Sequence, residues 1–122
     1  MIEGKNIFIT GGAGFIGSTL VSRLIEKNSI VIYDNFKRDS ISKTQYKDHP
    51  NLTSIRGNIL DADHLKEAVS GSNIVVHAAA IAGIDSTIRM PVHTMEVNMI
   101  GTYNVLEAVR TLSSLERFVE FS

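Results

Sequence analysis

Thr10-Gly11-Gly12-Ala13-Gly14-Phe15-Ile16-Gly17 holds four of the nine glycines in this 122-residue chain. Before it, Asn6-Ile7-Phe8-Ile9-Thr10 is a β-branched, apolar run that reads as a strand. After it, Phe15, Ile16, Leu20, Val21, Leu24 and Ile25 recur at three-to-four spacing, so a helix opens near Gly14 and stops at Asn28-Ser29. A glycine-rich turn between strand and helix has a definite chemistry. The chain must turn tightly, a side chain at the turn would block a diphosphate, and the helix must pack close to the strand. The unpaired amides of the first helical turn then face the diphosphate, and the helix dipole favours the negative charge. The loop lacks the Lys-Ser/Thr pair of a nucleoside-triphosphate loop, so a dinucleotide is the better fit.

The same alternation continues to the end. Ser29–Asp34 reads as a second strand, continuously apolar as if covered on both faces. Phe36–Pro50 is polar and aperiodic, a loop with room for a short helix. Leu52–Gly57 is a third strand, Asp61–Val69 a short helix with an acidic start, and Asn73–His77 a fourth strand. Pro91 opens the longest helix, carried by Val92, Met95, Met99, Val105, Leu106, Val109 and Leu112. Arg117–Phe121 is a fifth strand. This is the pattern of βαβ units, and the expected fold is α/β: a Rossmann-type, doubly wound parallel sheet of about five strands. An apolar final strand with no helix after it favours a fragment, truncated after the fifth strand, over a short complete domain.

Composition narrows the function. At 43% hydrophobic and 20% charged residues the chain is an ordinary globular protein, and a net charge of −1 argues against a nucleic-acid binder. Zero cysteines remove disulfides, thiolate metal sites and cysteine nucleophiles. No apolar run approaches the roughly 20 residues of a membrane span, and the expected location is cytoplasmic. His49, His64 and His93 show no metal-ligand spacing, and Met90, Met95 and Met99 fit a core.

Asp34 ends the second strand, at the roughly 20-residue distance where an acidic side chain reaches an adenosine ribose. Its carboxylate accepts from both ribose hydroxyls and repels a 2′-phosphate, which favours NAD over NADP, although Lys37 and Arg38 lie just beyond.

These residues together resemble the extended short-chain dehydrogenase/reductases, the NAD-dependent nucleotide-sugar epimerase/dehydratase family, and the resemblance covers essentially the whole chain. It implies a cofactor site built from Gly11, Gly14, Phe15, Ile16 and Gly17, with Asp34 and Asn35 as the ribose-binding turn. Asn58 and Ile59, in Gly57-Asn58-Ile59-Leu60-Asp61, stand where the family contacts adenine, with Asn58 replacing the usual Asp. His77-Ala78-Ala79-Ala80 is similar to the small-residue turn beneath the nicotinamide ribose. There Ala78, Ala79 and Ala80 line the cofactor and His77 reads as a strand-end packing residue. Val97–Thr102 matches the family's long helix, in which Asn98 is structural or helps to order the active site. Asp85, Ser86 and Arg89 fall in a substrate-facing segment, read as loop. Ala82 stands where the best-known epimerases carry a lysine, which weakens a narrow assignment to UDP-galactose epimerase.

The resemblance also implies a catalytic Tyr and Lys four residues apart, after the fifth strand, with Phe121-Ser122 opening the Ser/Thr-rich segment before them. The one Tyr-x-x-x-Lys match here, Tyr33 and Lys37, is a decoy: on a strand at about 3.3 Å per residue the two stand about 13 Å apart. Residues 1–122 are therefore expected to be an incomplete NAD-binding domain with no catalytic residue of their own beyond a supporting Asn98. The C-terminal strands and substrate-binding domain would be absent. The partner is a nucleotide-sugar substrate of the full-length protein, with homodimerisation through the Pro91–Leu112 segment. A non-enzymatic NAD(P)-binding regulatory module is the alternative, and a structural module with a vestigial pocket a third.

Overall fold

A computed structural model describes residues 1–121, and Ser122, part of the expected Ser/Thr-rich opening, lies outside the described residues. Five strands, β1 (Asn6–Thr10), β2 (Ser29–Asp34), β3 (Leu52–Arg56), β4 (Ile74–His77) and β5 (Arg117–Glu120), form one parallel sheet. Their order is β3-β2-β1-β4-β5. The order reverses beside β1, which opens a crevice at the carboxyl ends of β1 and β4, the place where doubly wound sheets bind ligands.

β1 is central and buried on both faces from Ile7 onward, which is why Ile7, Phe8 and Ile9 are consecutive apolar residues. Successive side chains alternate between the two layers. Ile7 and Ile9 pack with Val21 and Ile25 of the first helical segment and with Ile30, Ile32 and Ile41. Phe8 points the other way, into Tyr33, Leu65, Val69, Val75, Val105 and Val109. The helices behind these contacts are α1 (Phe15–Leu24) on one face and α2 (Ala62–Ala68) and α5 (Thr102–Arg110) on the other; α3 (Ile84–Arg89) and α4 (Pro91–Met95) lead into α5.

Local chemistry sets the helix ends. Gly14, at φ −73° and ψ −178°, is the extended residue from which α1 starts. Buried Asn28 stops it: Nδ2 donates to Leu24 O at 2.8 Å, and Oδ1 accepts Lys5 N–H at 3.0 Å. The Asp61 carboxylate caps α2 by accepting His64 N–H at 3.2 Å, a contact typically worth about 1 kcal/mol.

Two expectations need correction. The segment from Pro91 is not one α-helix: α4 passes into a π-helical stretch, Glu96–Gly101, before α5 begins. Apolar spacing does not register a local slip from i→i−4 to i→i−5 hydrogen bonding. Nor are all the apolar residues that marked this helix in the core: Val105 and Val109 are buried, whereas Val92, Met95, Met99 and Leu106 are exposed, as is Met90, so these methionines do not fill a core. Asp85, Ser86 and Arg89 lie on α3 instead of a loop. That helix buries no residue, so it carries no amphipathic signature. The Phe36–Pro50 segment is irregular as expected, with one 3₁₀ turn, Ile41–Lys43, that plugs Ile41 into the core.

Candidate dinucleotide site

The glycine turn is held from three sides. Gly11 sits at φ +68°, and its N–H donates to Tyr33 O at 2.9 Å. A Cβ there would stand 2.7 Å from Ala79 N, so the turn after β1 touches the turn after β4 backbone to backbone. A Cβ on Gly17 would meet Gly12 Cα and lie 2.5 Å from Gly11 O, which fixes how closely α1 approaches the strand end. Ala13 N–H donates to Asp34 Oδ2 at 3.0 Å, and Phe36 N–H donates to Oδ1 at 2.8 Å. Asp34 therefore clamps the glycine loop and supports the left-handed Phe36 (φ 60°). Each carboxylate oxygen keeps a lone pair for a further donor.

Among the described residues the N–H groups of Phe15, Ile16 and Gly17 have no acceptor. They are the orphan donors of the first turn of α1, on the carboxyl side of β1. The Phe15 and Ile16 side chains are exposed beside them. Three converging donors, a turn that excludes side chains and a neighbouring carboxylate suit a diphosphate joined to a ribose.

The second wall follows β3. Tyr33 is fully buried, and its hydroxyl lies 3.1 Å from Asn58 O and 3.0 Å from His64 Nδ1. A phenol has one proton. It donates to the carbonyl, and His64 Nδ1–H donates to the phenol oxygen. Burial raises the Tyr33 pKa, the Asp61 charge raises it further, and the Asn58 carbonyl only partly offsets them, so this phenol is no proton acceptor at neutral pH. That disposes of the Tyr33–Lys37 match on chemical grounds as well as geometric ones. Asn58 Oδ1 accepts Leu60 N–H at 2.9 Å. Ile59 buries its side chain against Gly101, and its carbonyl accepts Asn104 Nδ2 at 2.9 Å. Asn35 is exposed, with Oδ1 taken by Lys37 N–H.

The third wall is Ala78–Ile81, and its anchor is a chain of polar groups. The strand register sets Thr10 directly beside His77. Thr10 Oγ1 is 2.6 Å from His77 Nδ1 and accepts the N–H groups of Ala78 and Ala79, both at 3.2 Å. His77 Nε2 is 2.9 Å from Thr102 Oγ1, whose proton goes to Asn98 O at 2.7 Å. One proton arrangement satisfies every member. Thr10 donates to an unprotonated Nδ1, and Nε2–H donates to Thr102. Burial lowers the His77 pKa, with Glu120 opposing, in keeping with a neutral ring. Asn98 completes the wall, accepting Ile81 N–H at 2.8 Å and donating Nδ2 to Ile81 O at 3.0 Å.

Of the residues singled out in the sequence, the glycine loop, Asp34, Asn35, Asn58, Ile59 and Ala78–Ala80 all lie at or just after the carboxyl ends of the neighbouring strands β1 to β4, and Asn98 holds Ile81. Asp85, Ser86 and Arg89 make no side-chain hydrogen bond among the described residues. Near Ala82 the one polar contact is a long one, Arg38 Nη2 to Ala82 O at 3.5 Å. Thr10, Thr102, Tyr33 and His64 were missed as positioning residues, and His77 proves to be a hydrogen-bonded hub as well as a packing residue. None has a local spacing signal: the register Tyr33–Thr10–His77 across three strands reveals the strand residues, and the packing of α2 and α5 brings His64 and Thr102 to them.

Fold and crevice define a Rossmann-type dinucleotide-binding domain. The chain belongs to the NAD dependent epimerase/dehydratase family, whose family model matches residues 7–122. It is 37% identical over 107 residues to a UDP-N-acetyl-alpha-D-glucosaminuronate decarboxylase of Bacillus cytotoxicus, covering 85% of this chain and 32% of that protein. The UDP-N-acetylglucosamine 4-epimerase of Methanobrevibacter ruminantium superposes with a TM-score of 0.87 at 29% identity, over 96% of this chain and 37% of its own. WbmF of Bordetella bronchiseptica, solved in complex with NAD+, gives a TM-score of 0.86 at 29% identity, over 97% and 36%. The chain thus spans about a third of the length of these relatives. No helix among the described residues is long and apolar enough to cross a membrane.

Proposed function

We propose that residues 1–122 are the NAD-binding part of an enzyme that acts on a nucleotide sugar, as epimerase or dehydratase. The carrying observation is the meeting of three orphan N–H donors, Phe15, Ile16 and Gly17, with the Asp34 clamp at the reversal of strand order. In this reading the first-turn amides hold the diphosphate, Asp34 and Asn35 the adenosine ribose, Asn58 and Ile59 the base, and Ala78–Ala80 the nicotinamide ribose. A bound NAD supplies hydride acceptance from a sugar carbon. The chain's own residues hold and orient it: the Thr10–His77–Thr102 relay fixes the floor of the crevice, and Asn98 fixes Ile81. The Tyr and Lys that move the sugar hydroxyl proton belong to a segment after β5, and a cytoplasmic location goes with this reading.

Calorimetric titration of the chain with NAD tests the proposal. Binding is expected, with a rise in unfolding temperature; at a hundredfold excess over Kd the gain is about 2.7 kcal/mol. No heat and no stabilisation at millimolar NAD would overturn it. The chain alone is expected to turn over no UDP- or dTDP-sugar, so measurable epimerisation would contradict the assignment of Tyr and Lys elsewhere.

Self-association belongs to the same proposal. Val92, Met95, Met99, Tyr103 and Leu106 recur at three-to-four spacing and are all exposed, Val92 at 80%, which supports a second copy packing on this helical face. Light scattering should report a dimer, and Met99→Glu a monomer; a monomeric parent refutes the pairing.

A further inference from the structure

Asn58 is fixed in orientation. Its Oδ1 accepts the main-chain N–H of Leu60, and only the oxygen of an amide accepts such a bond. The side chain therefore turns Nδ2 outward, a donor with no partner among the described residues. Its residue is exposed, at the carboxyl end of β3. The next main-chain N–H, that of Ile59, also lacks an acceptor among the described residues, while the carbonyls of Asn58 and Ile59 are taken by Tyr33, Asp61 and Asn104. Two consecutive residues thus carry two donors without an acceptor among the described residues.

We infer that Asn58 makes this site indifferent to whether the purine carries a 6-amino or a 6-oxo group, an inference that rests on the dinucleotide reading above. Adenine sets an acceptor, N1, beside a donor, the 6-amino group. Hypoxanthine sets a donor, N1–H, beside an acceptor, the 6-oxo group. Against two donors, each base makes one hydrogen bond and leaves one mismatch. An aspartate at position 58 accepts Leu60 N–H with one oxygen and turns the other outward. The resulting acceptor–donor pair matches adenine twice and hypoxanthine not at all.

The test is calorimetric titration of the chain and of its Asn58→Asp variant with NAD and with nicotinamide hypoxanthine dinucleotide. The parent chain is expected to bind the two within about threefold of each other, and the variant to favour NAD by about tenfold or more. A parent preference for NAD of about tenfold or more overturns the inference, as does a variant that keeps parity. If the variant does not fold, the two parent titrations decide. If neither dinucleotide binds, the cofactor reading fails and this inference falls with it, whereas tight NAD binding with the wrong ratio removes this inference alone.

Discussion

Replacing Thr10 by valine keeps the shape of the side chain and deletes one oxygen on which three partners converge. Ala78 N–H retains a second acceptor, Thr10 O at 3.1 Å. Ala79 N–H and His77 Nδ1 have no other partner among the described residues and are orphaned. His77 is only 3% exposed, so its unmet acceptor costs about 2 kcal/mol, and the half-buried Ala79 amide adds about 1. The expected loss is about 3 kcal/mol, a fall of about 2 M in the urea midpoint if m is about 1.5 kcal/mol/M. Urea unfolding followed by far-ultraviolet circular dichroism measures it. Thr10→Ser keeps the oxygen and loses one methyl, costing about 1 kcal/mol. His77→Phe combined with Thr10→Val should cost less than the two single changes added, because they remove one shared interaction. A loss below about 1 kcal/mol for Thr10→Val, or strict additivity in the pair, would refute the network as drawn.

Gly17→Ala drives a methyl into Gly12 and should cost about 3 kcal/mol and abolish stabilisation by NAD. Gly4→Ala, at φ +66° with open space around it, should cost about 1–2 kcal/mol by thermal melting and leave NAD binding intact. Asp34→Asn retains one acceptor for two main-chain donors and turns an N–H toward the other, so calorimetry should show NAD affinity lower by about tenfold. Burial holds the His77 pKa below its ordinary value of about 6.5, so the unfolded chain takes up a proton that the native state refuses. Its contribution to stability is complete above pH ~6.5 and declines as the pH falls toward the depressed native value. His77→Gln can accept from Thr10 and donate to Thr102, and the stability difference between parent and variant should slope as the pH falls below about 6.5. A flat difference contradicts the assignment.

The fold was legible because its driving forces are local. The interiors of β1 (Ile7–Ile9) and β2 (residues 30–33) are apolar since both faces of the sheet are covered there, and Gly11 and Gly17 stand where backbone meets backbone. The place of Asp34 at the end of β2 was legible, though its grip on Ala13 was not. α3 escaped because an exposed helix leaves no periodic trace, with Gly83 and Asp85 as the only start signals. The π-helical turn escaped because it is a matter of backbone hydrogen bonding. It carries Asn98 and ends beside Thr102, the residues that hold Ile81 and His77. The Thr10–His77–Thr102 relay depends on register between elements far apart in sequence, which no window along the chain can contain.

Tyr33 has an optical consequence. The chain has no tryptophan and three tyrosines; Tyr103 is 62% exposed, Tyr46 is half-buried, and Tyr33 alone is sealed in, tilted against Phe8 and His64. Near-ultraviolet dichroism arises from aromatic rings locked in asymmetric surroundings, so this one chromophore should dominate that spectrum. A purine settling against Asn58 would register there without any attached label.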